Sequence, residues 1–294
     1  MRLNYIMKIE SQLKRYRTIS TNRLTSRILD GSYVSMYKGR SMNFDELREY
    51  EQGDDIRDID FKASARNPQG KFLVKQYIAE KKHNIMLCID TNKRMLADTP
   101  SGYEKRETAL MTAGTLACLV SKNGDYVSAT FSNDKLMQHY PFKNGTVNIE
   151  NILEQYYKAV NMNNESTLTD SLKYIIRNYR RRMIILIVTD IEGIRSIDEN
   201  VLRQIRAVND VLLVCVEDAQ ATGGNVYSVK NASYLPEFLT GDKKLAKILQ
   251  QKKQDVYEEC EAKLKRYGIA HSIINSCEEI DTKIIELLEK HKKN

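Results

Sequence analysis

Long hydrophobic runs are missing from this chain of 294 residues. The longest, "NIMLCID" at 84–90 and "MIILIVTD" at 183–190, fall far short of the roughly 20 apolar residues that cross a bilayer, which excludes a membrane-spanning helix. The beginning, "MRLNYIMKIESQLKRYR", has no apolar stretch followed by a small-residue cleavage site. It does not read as a secretory signal, and the expected location is the cytoplasm. The five cysteines form no C-x-x-C pair, and Cys88, Cys118 and Cys215 lie inside apolar runs. An odd, unclustered set excludes a disulfide framework and a thiolate zinc site, and predicts reduced, inert thiols. The four histidines, His83, His139, His271 and His291, are scattered, and no H-E-x-x-H, G-x-S-x-G or G-x-x-x-x-G-K-[ST] occurs. The motifs of zinc proteases, serine hydrolases and P-loop nucleotide hydrolases are therefore absent, and a non-catalytic role is expected. The 17 tyrosines and 6 phenylalanines are dispersed without a stacking stripe, which speaks against specific nucleic-acid binding.

What is present points to a folded α/β chain. Hydrophobic residues at 41% and charged residues at 29% suit a globular protein rather than a disordered one. The net charge of +7 is uneven: residues 1–28 hold seven Lys or Arg against one Glu. Within that segment Ile6, Ile9, Leu13 and Tyr16 recur at helical spacing, which predicts a basic amphipathic helix over 1–30. Such a helix either docks on the domain with a solvated basic face or meets an acidic membrane surface, nucleic acid or an acidic protein. From residue 84 onward, short β-branched runs alternate with amphipathic stretches, the pattern of a doubly wound parallel sheet. Strands are predicted near 84–90, 125–131, 183–189, 210–217 and 269–274, with a short pairing strand near 135–140. Helices are predicted near 103–122, 147–160, 168–180, 195–207, 242–267 and 277–291. Residues 218–241 read as a surface connection. Residues 31–83 break the rhythm and form a separate Arg/Asp-rich module, packed beside the domain of 84–294.

The most specific stretch is "YKGRSMNFDELREYEQGDDIRDIDFKASARN" at 37–67. It resembles the domain of unknown function 58 family, whose pattern G-x-x-x-x-F-x-E-L-R-x-Y-x-x-G-D-D-x-R-x-I-D-W-x-x-x-A-R precedes a von Willebrand factor A-like domain. Gly39, Phe44, Glu46, Leu47, Arg48, Tyr50, Gly53, Asp54, Asp55, Arg57, Ile59, Asp60, Ala65 and Arg66 match, and Phe61 replaces the Trp. The resemblance continues through the strand at 84–90, "GDYVSATFS", "TLTDSL" and "IVTDIEG". It implies a Rossmann-like three-layer sandwich with a mostly parallel central sheet, and a partnership with a MoxR-type AAA+ ATPase.

Read physically, the motif interleaves Arg48, Arg57, Lys62 and Arg66 with Asp45, Glu46, Glu49, Glu51, Asp54, Asp55, Asp58 and Asp60. Such interleaving favours bidentate Arg–carboxylate bonds that fix an irregular segment. The alternative is a carboxylate cage for a divalent metal at Asp54, Asp55, Asp58 and Asp60, which would make the chain a metal-dependent phosphodiesterase. A second constellation follows from the resemblance. Von Willebrand factor A-like domains bind Mg²⁺ at strand ends through D-x-S-x-S, a Thr from a second loop and an Asp from a third. Here Asp90, Asn92 and Arg94 stand in the first loop, with Thr167 and Asp190 as the second and third members. Asn92 can still offer an oxygen; Arg94 offers none and brings a cation to the ion's position. The simplest expectation is that Arg94 pairs with Asp90 or Asp190 and replaces the metal, with weak Mg²⁺ binding as the alternative. The function expected is a protein-binding adaptor or scaffold that docks through this degenerate metal-ion-dependent adhesion site, with Arg94 as the partner-binding residue.

Overall fold

The computed structural model describes residues 5–8, 38–78, 83–122, 124–133, 136–165, 167–219, 227–228, 233–234 and 243–293. It resolves into two compact units, residues 26–82 and residues 1–25 with 83–294.

In the smaller unit β1 (Lys38–Glu49) pairs antiparallel with β2 (Leu73–Ile78). β1 was not among the strands expected, and its sequence, "KGRSMNFDELRE", shows no apolar alternation. The register of β1 shifts twice, between Lys38 and Asn43 and between Phe44 and Glu46, and such bulges erase the period-2 signal. Between the strands lie a 3-10 turn, Ile56–Asp58, and the short helix α1 (Phe61–Ser64). Val74 is buried, while Ile56, Phe61 and Phe72 stay exposed.

The larger unit is built on a six-stranded sheet: β3 (Asn84–Ile89), β4 (Tyr126–Asn133), β5 (Leu136–Lys143), β6 (Ile184–Thr189), β7 (Asp210–Val216) and β10 (Ala270–Ile274). A minimal antiparallel pair, β8 (Tyr227–Ser228) and β9 (Ser233–Tyr234), lies outside it. The spatial order is β10-β7-β6-β3-β4-β5, and every pairing is parallel except β4 with β5. Counted within the sheet in chain order this reads 6-5-4-1-2-3, a doubly wound arrangement whose direction reverses between β3 and β6. β6 is buried along its whole length, as a parallel strand covered on both faces must be.

Helices flank both faces. α2 (Lys105–Lys122) lies against β3, β4, β6 and β7, with α3 (Thr146–Ala159) and α8 (Ile280–Lys293) beside it. On the opposite face Met86, Cys88, Ile185, Ile187, Val211, Leu213 and Cys215 form one core with α4 (Leu168–Asn178), α5 (Ile191–Ser196), α6 (Glu199–Val208) and α7 (Lys243–Arg266). The expected Rossmann-like three-layer sandwich with a mostly parallel sheet is thus present. One helix differs from the reading: the single helix expected at 195–207 is two. Asp198 accepts hydrogen bonds from the N–H groups of Asn200 and Val201 and so starts α6 afresh after α5 has ended at Ser196.

Of the predicted basic helix only residues 5–8 are described, and they are helical. The Tyr5 and Ile6 side chains are buried, and their N–H groups donate to the two carboxylate oxygens of Glu150 on α3, each at 3.0 Å. Ile9, Leu13, Tyr16 and the rest of that prediction lie outside the described residues, as does most of the 218–241 connection. No helix among the described residues is long and apolar enough to cross a membrane.

Candidate functional site at the carboxyl ends of β3 and β6

Asp90 follows β3 directly and Asp190 follows β6 directly. Because Ile89 is in register with Val188, the two carboxylates emerge side by side at the point where the sheet order reverses. Ligands of open α/β sheets bind at that crevice. Both side chains are about 1% exposed. Two adjacent buried carboxylates are unstable unless cations or hydrogen-bond donors neutralise them.

Two cations do so. Arg94 donates from Nη2 to Asp90 Oδ2 at 3.2 Å and from Nε to Asp190 Oδ2 and Oδ1 at 3.2 and 3.4 Å. Lys105, the first residue of α2, donates from Nζ to Asp190 Oδ2 at 2.9 Å and to Asp218, just past β7. Its side chain is 1% exposed, against 29% for Arg94. The remaining acceptor capacity is taken up locally. Asp90 Oδ1 receives the Asn92 N–H at 2.9 Å and Asp90 Oδ2 the Thr189 hydroxyl at 2.7 Å. Asp190 Oδ1 receives the Gly193 N–H at 2.8 Å, which caps α5. Gly193 must be glycine for this approach: a Cβ there would stand 1.8 Å from Thr189 Oγ1 and 2.8 Å from Asp90 Oδ2. The buried Tyr156 hydroxyl donates to the Asp90 carbonyl at 3.2 Å and fixes the strand end from the α3 side.

The two carboxyls differ in character. Burial, reinforced by Asp190, pushes the Asp90 carboxyl up against the pull of Arg94. Burial acts on Asp190 as well, but Lys105 and Arg94 outweigh it and hold that carboxyl below the usual range. For Lys105 burial works to lower the ammonium, and Asp190 and Asp218 more than offset it, so the group stays charged.

The sequence-derived members are placed as follows. Asp90, Arg94 and Asp190 come together. Asn92 flanks them: its Oδ1 accepts the Arg94 N–H and caps the 3-10 turn Lys93–Leu96. Thr167 turns its hydroxyl to Asp170 Oδ2, 2.6 Å away, rather than to the carboxylate pair. For a divalent ion the donor set does not fit. An octahedral Mg²⁺ needs free oxygen donors, whereas all four oxygens of Asp90 and Asp190 already accept N–H or O–H groups, and two positive side chains share Asp190 Oδ2.

Lys105, Thr189, Gly193, Asp218 and Tyr156 escaped the sequence reading.

In the smaller unit the motif carboxylates serve the fold. Arg48 forks onto Asp54 with contacts of 2.8 and 2.5 Å, and Asp54 also accepts the Glu51 N–H. Asp55 caps the 3-10 turn at the Arg57 N–H and meets Arg57 Nε at 3.3 Å. Asp60 caps α1 through the Lys62 and Ala63 N–H groups and pairs with Lys75 at 3.2 Å. Arg48 holds the Asp54 carboxyl below its ordinary range, and the Ala63 amide and Lys75 do the same for Asp60. Tyr50 ties β1 to the β2 side by its N–H to Phe72 O, Gly53 lies in the turn before Asp54, and Arg66 closes the turn after α1 through its N–H to Ala63 O. Gly39, Phe44 and Glu46 lie in β1; their side chains are outside the described set. Among the described residues no group of three or more His, Cys, Asp or Glu is placed to hold a metal ion. A cavity of about 890 Å³ beside α7 and β10 is lined in part by Ile191, Ile194, Cys215, Glu217, Tyr257 and Ile273.

Uncharacterized proteins of Mycobacterium tuberculosis and Mycobacterium bovis are each 26% identical over 196 residues, which is 65% of this chain and 60% of theirs, so the match spans less than two thirds of the length of those curated relatives. Solved structures with a related chain path include the conserved hypothetical protein BatB from Bacteroides thetaiotaomicron (TM-score 0.46, 16% identity, 72% of this chain and 100% of that one). Another is a von Willebrand factor type A protein from Catenulispora acidiphila (TM-score 0.37, 11% identity, 75% and 44%). The family model described as "Protein of unknown function DUF58" matches residues 46–222, more than half of the sequence. This chain belongs to the DUF58 family.

Proposed function

We propose that this chain is a non-catalytic adaptor or scaffold that captures a protein partner through the loop edge at the ends of β3 and β6. The observation that carries the reading is the placement of Arg94. Its guanidinium is aimed by two buried carboxylates, Asp90 and Asp190, yet remains 29% exposed at the crevice. A cation oriented in this way loses little freedom when an acidic side chain of a partner reaches it, and a preorganised fork favours a carboxylate. Every oxygen of the pair already accepts an N–H or O–H group, which favours binding over turnover. The partner that the family resemblance implies is a MoxR-type AAA+ ATPase, and the cytoplasm is the compartment where the two would meet.

The alternatives draw less support. A phosphodiesterase would need Asp54, Asp55, Asp58 and Asp60 to converge on metal, whereas Asp54 is engaged by Arg48 and Asp55 and Asp60 cap their own helical turns. A membrane scaffold would insert the apolar face that begins at Ile6, and Ile6 is buried in the larger unit.

The test is the affinity of a purified MoxR-type ATPase for the immobilised chain. Arg94→Ala, with its fold checked by circular dichroism, should weaken capture tenfold or more. Arg94→Lys, which keeps the charge and loses the fork, should fall between. Unchanged affinity in a folded variant would sink the docking reading.

A further inference from the structure

We infer that Arg94 and Lys105 together take the place of a divalent cation at the ends of β3 and β6, so that this edge is locked by two of the chain's own positive charges and needs no metal ion. A dication at such a site would bring two positive charges to Asp90 and Asp190. The guanidinium of Arg94 and the ammonium of Lys105 bring the same total and divide the work. Arg94 bridges both carboxylates, while Lys105 ties Asp190 to Asp218. The result joins the loop after β3 to the loop after β6 and, through Asp218, to the segment after β7.

The two replacements are not equivalent. Arg94 sits at the surface and could swing outward to admit an ion, but Lys105 is 1% exposed and fixed at the start of a buried helix. Its position is telling. The N-terminus of a helix repels cations, so an ammonium there is held by its carboxylates against the helix field. Arg94 alone therefore does not decide the ion requirement. Converting Arg94 to serine restores a small oxygen donor beside Asn92, yet leaves Lys105 on Asp190 Oδ2, 2.9 Å away. The lock stands apart from the docking reading: it holds whether or not a partner binds at this edge.

The experiment compares wild type, Arg94→Ser and Arg94→Ser/Lys105→Met. Mn²⁺ binding is followed by electron paramagnetic resonance, and melting midpoints are taken in EDTA and in Mg²⁺. Wild type and Arg94→Ser should bind no Mn²⁺ and melt at the same temperature in both buffers. The double variant should gain a site, and at an ion concentration about a hundredfold over its dissociation constant mass action should raise its midpoint by several degrees. A double variant that folds only when Mg²⁺ is present supports the inference equally. Mn²⁺ binding by wild type that disappears in Asp190→Asn would overturn it. A site gained by Arg94→Ser alone would also overturn it, because Lys105 would then be a bystander. Should the double variant fold in neither buffer, these last two titrations still decide the matter.

Discussion

Lys105 and Arg94 carry like charges and share Asp190, but their positions in sequence made one legible and the other not. Arg94 stands two residues after Asn92 in a loop whose expected pattern wants Ser, so its oddity is visible in a line of text. Lys105 is fifteen residues from Asp90, opens a helix, and reads as an ordinary first-turn residue until the fold brings Asp190 and Asp218 to it. Thr189 and Gly193 were equally hidden. A buried hydroxyl and a glycine needed for close approach show themselves only against the Asp90 carboxylate. At this scale removal of one partner from a buried charge cluster is the sharpest test. Lys105→Met leaves Asp190 with Arg94 alone and Asp218 without its ammonium, and should cost about 3 kcal/mol in urea unfolding, at the lower end for breaking a buried pair because Asp218 is partly solvated. A loss below about 1 kcal/mol would mean that Lys105 contributes no more than an exposed pair does.

Helices and strands were read more completely than side-chain partnerships, because period carries over the length of an element. The buried parallel strands β3, β6 and β7 appear as unbroken apolar runs, whereas their order across the sheet is set by the fold and was not read. Failures came where a single side chain overrides the period. Asp198 caps a new helix inside what reads as one, and the bulged, charged β1 lacks any alternation to read. Burial within elements also sets a pH response. On β5, β10 and α8 respectively, His139, His271 and His291 are each pushed below the ordinary value of 6.5 by burial. The unfolded chain takes up protons at these residues from about pH 6.5 downward while the folded chain resists. Their contribution to stability is thus intact above about 6.5 and is lost as pH falls toward the folded values. Imidazole NMR titration should place all three below 6.5, and values at or above it would contradict their burial.

At the scale of the whole molecule, the DUF58 match begins inside β1 of the smaller unit and runs past β7 of the larger, so it takes in residues of both units. β10, α7 and α8 complete the sandwich beyond that match. The motif that identifies the family and the edge proposed to work for it lie in different units. This explains why sequence resemblance was most specific at residues 37–67, where carboxylates support local turns, and least specific at the strand ends, where this chain departs from the pattern at Asn92 and Arg94. The central claim is that those departures, with Lys105, make a metal-free lock. The most direct measurement is a crystal structure grown in MnCl₂ with an anomalous difference map. The account predicts no manganese peak between Asp90 and Asp190, with Arg94 within hydrogen-bonding distance of both carboxylates and Lys105 within hydrogen-bonding distance of Asp190. A manganese peak coordinated by those two residues, with Arg94 turned out to solvent, would contradict it.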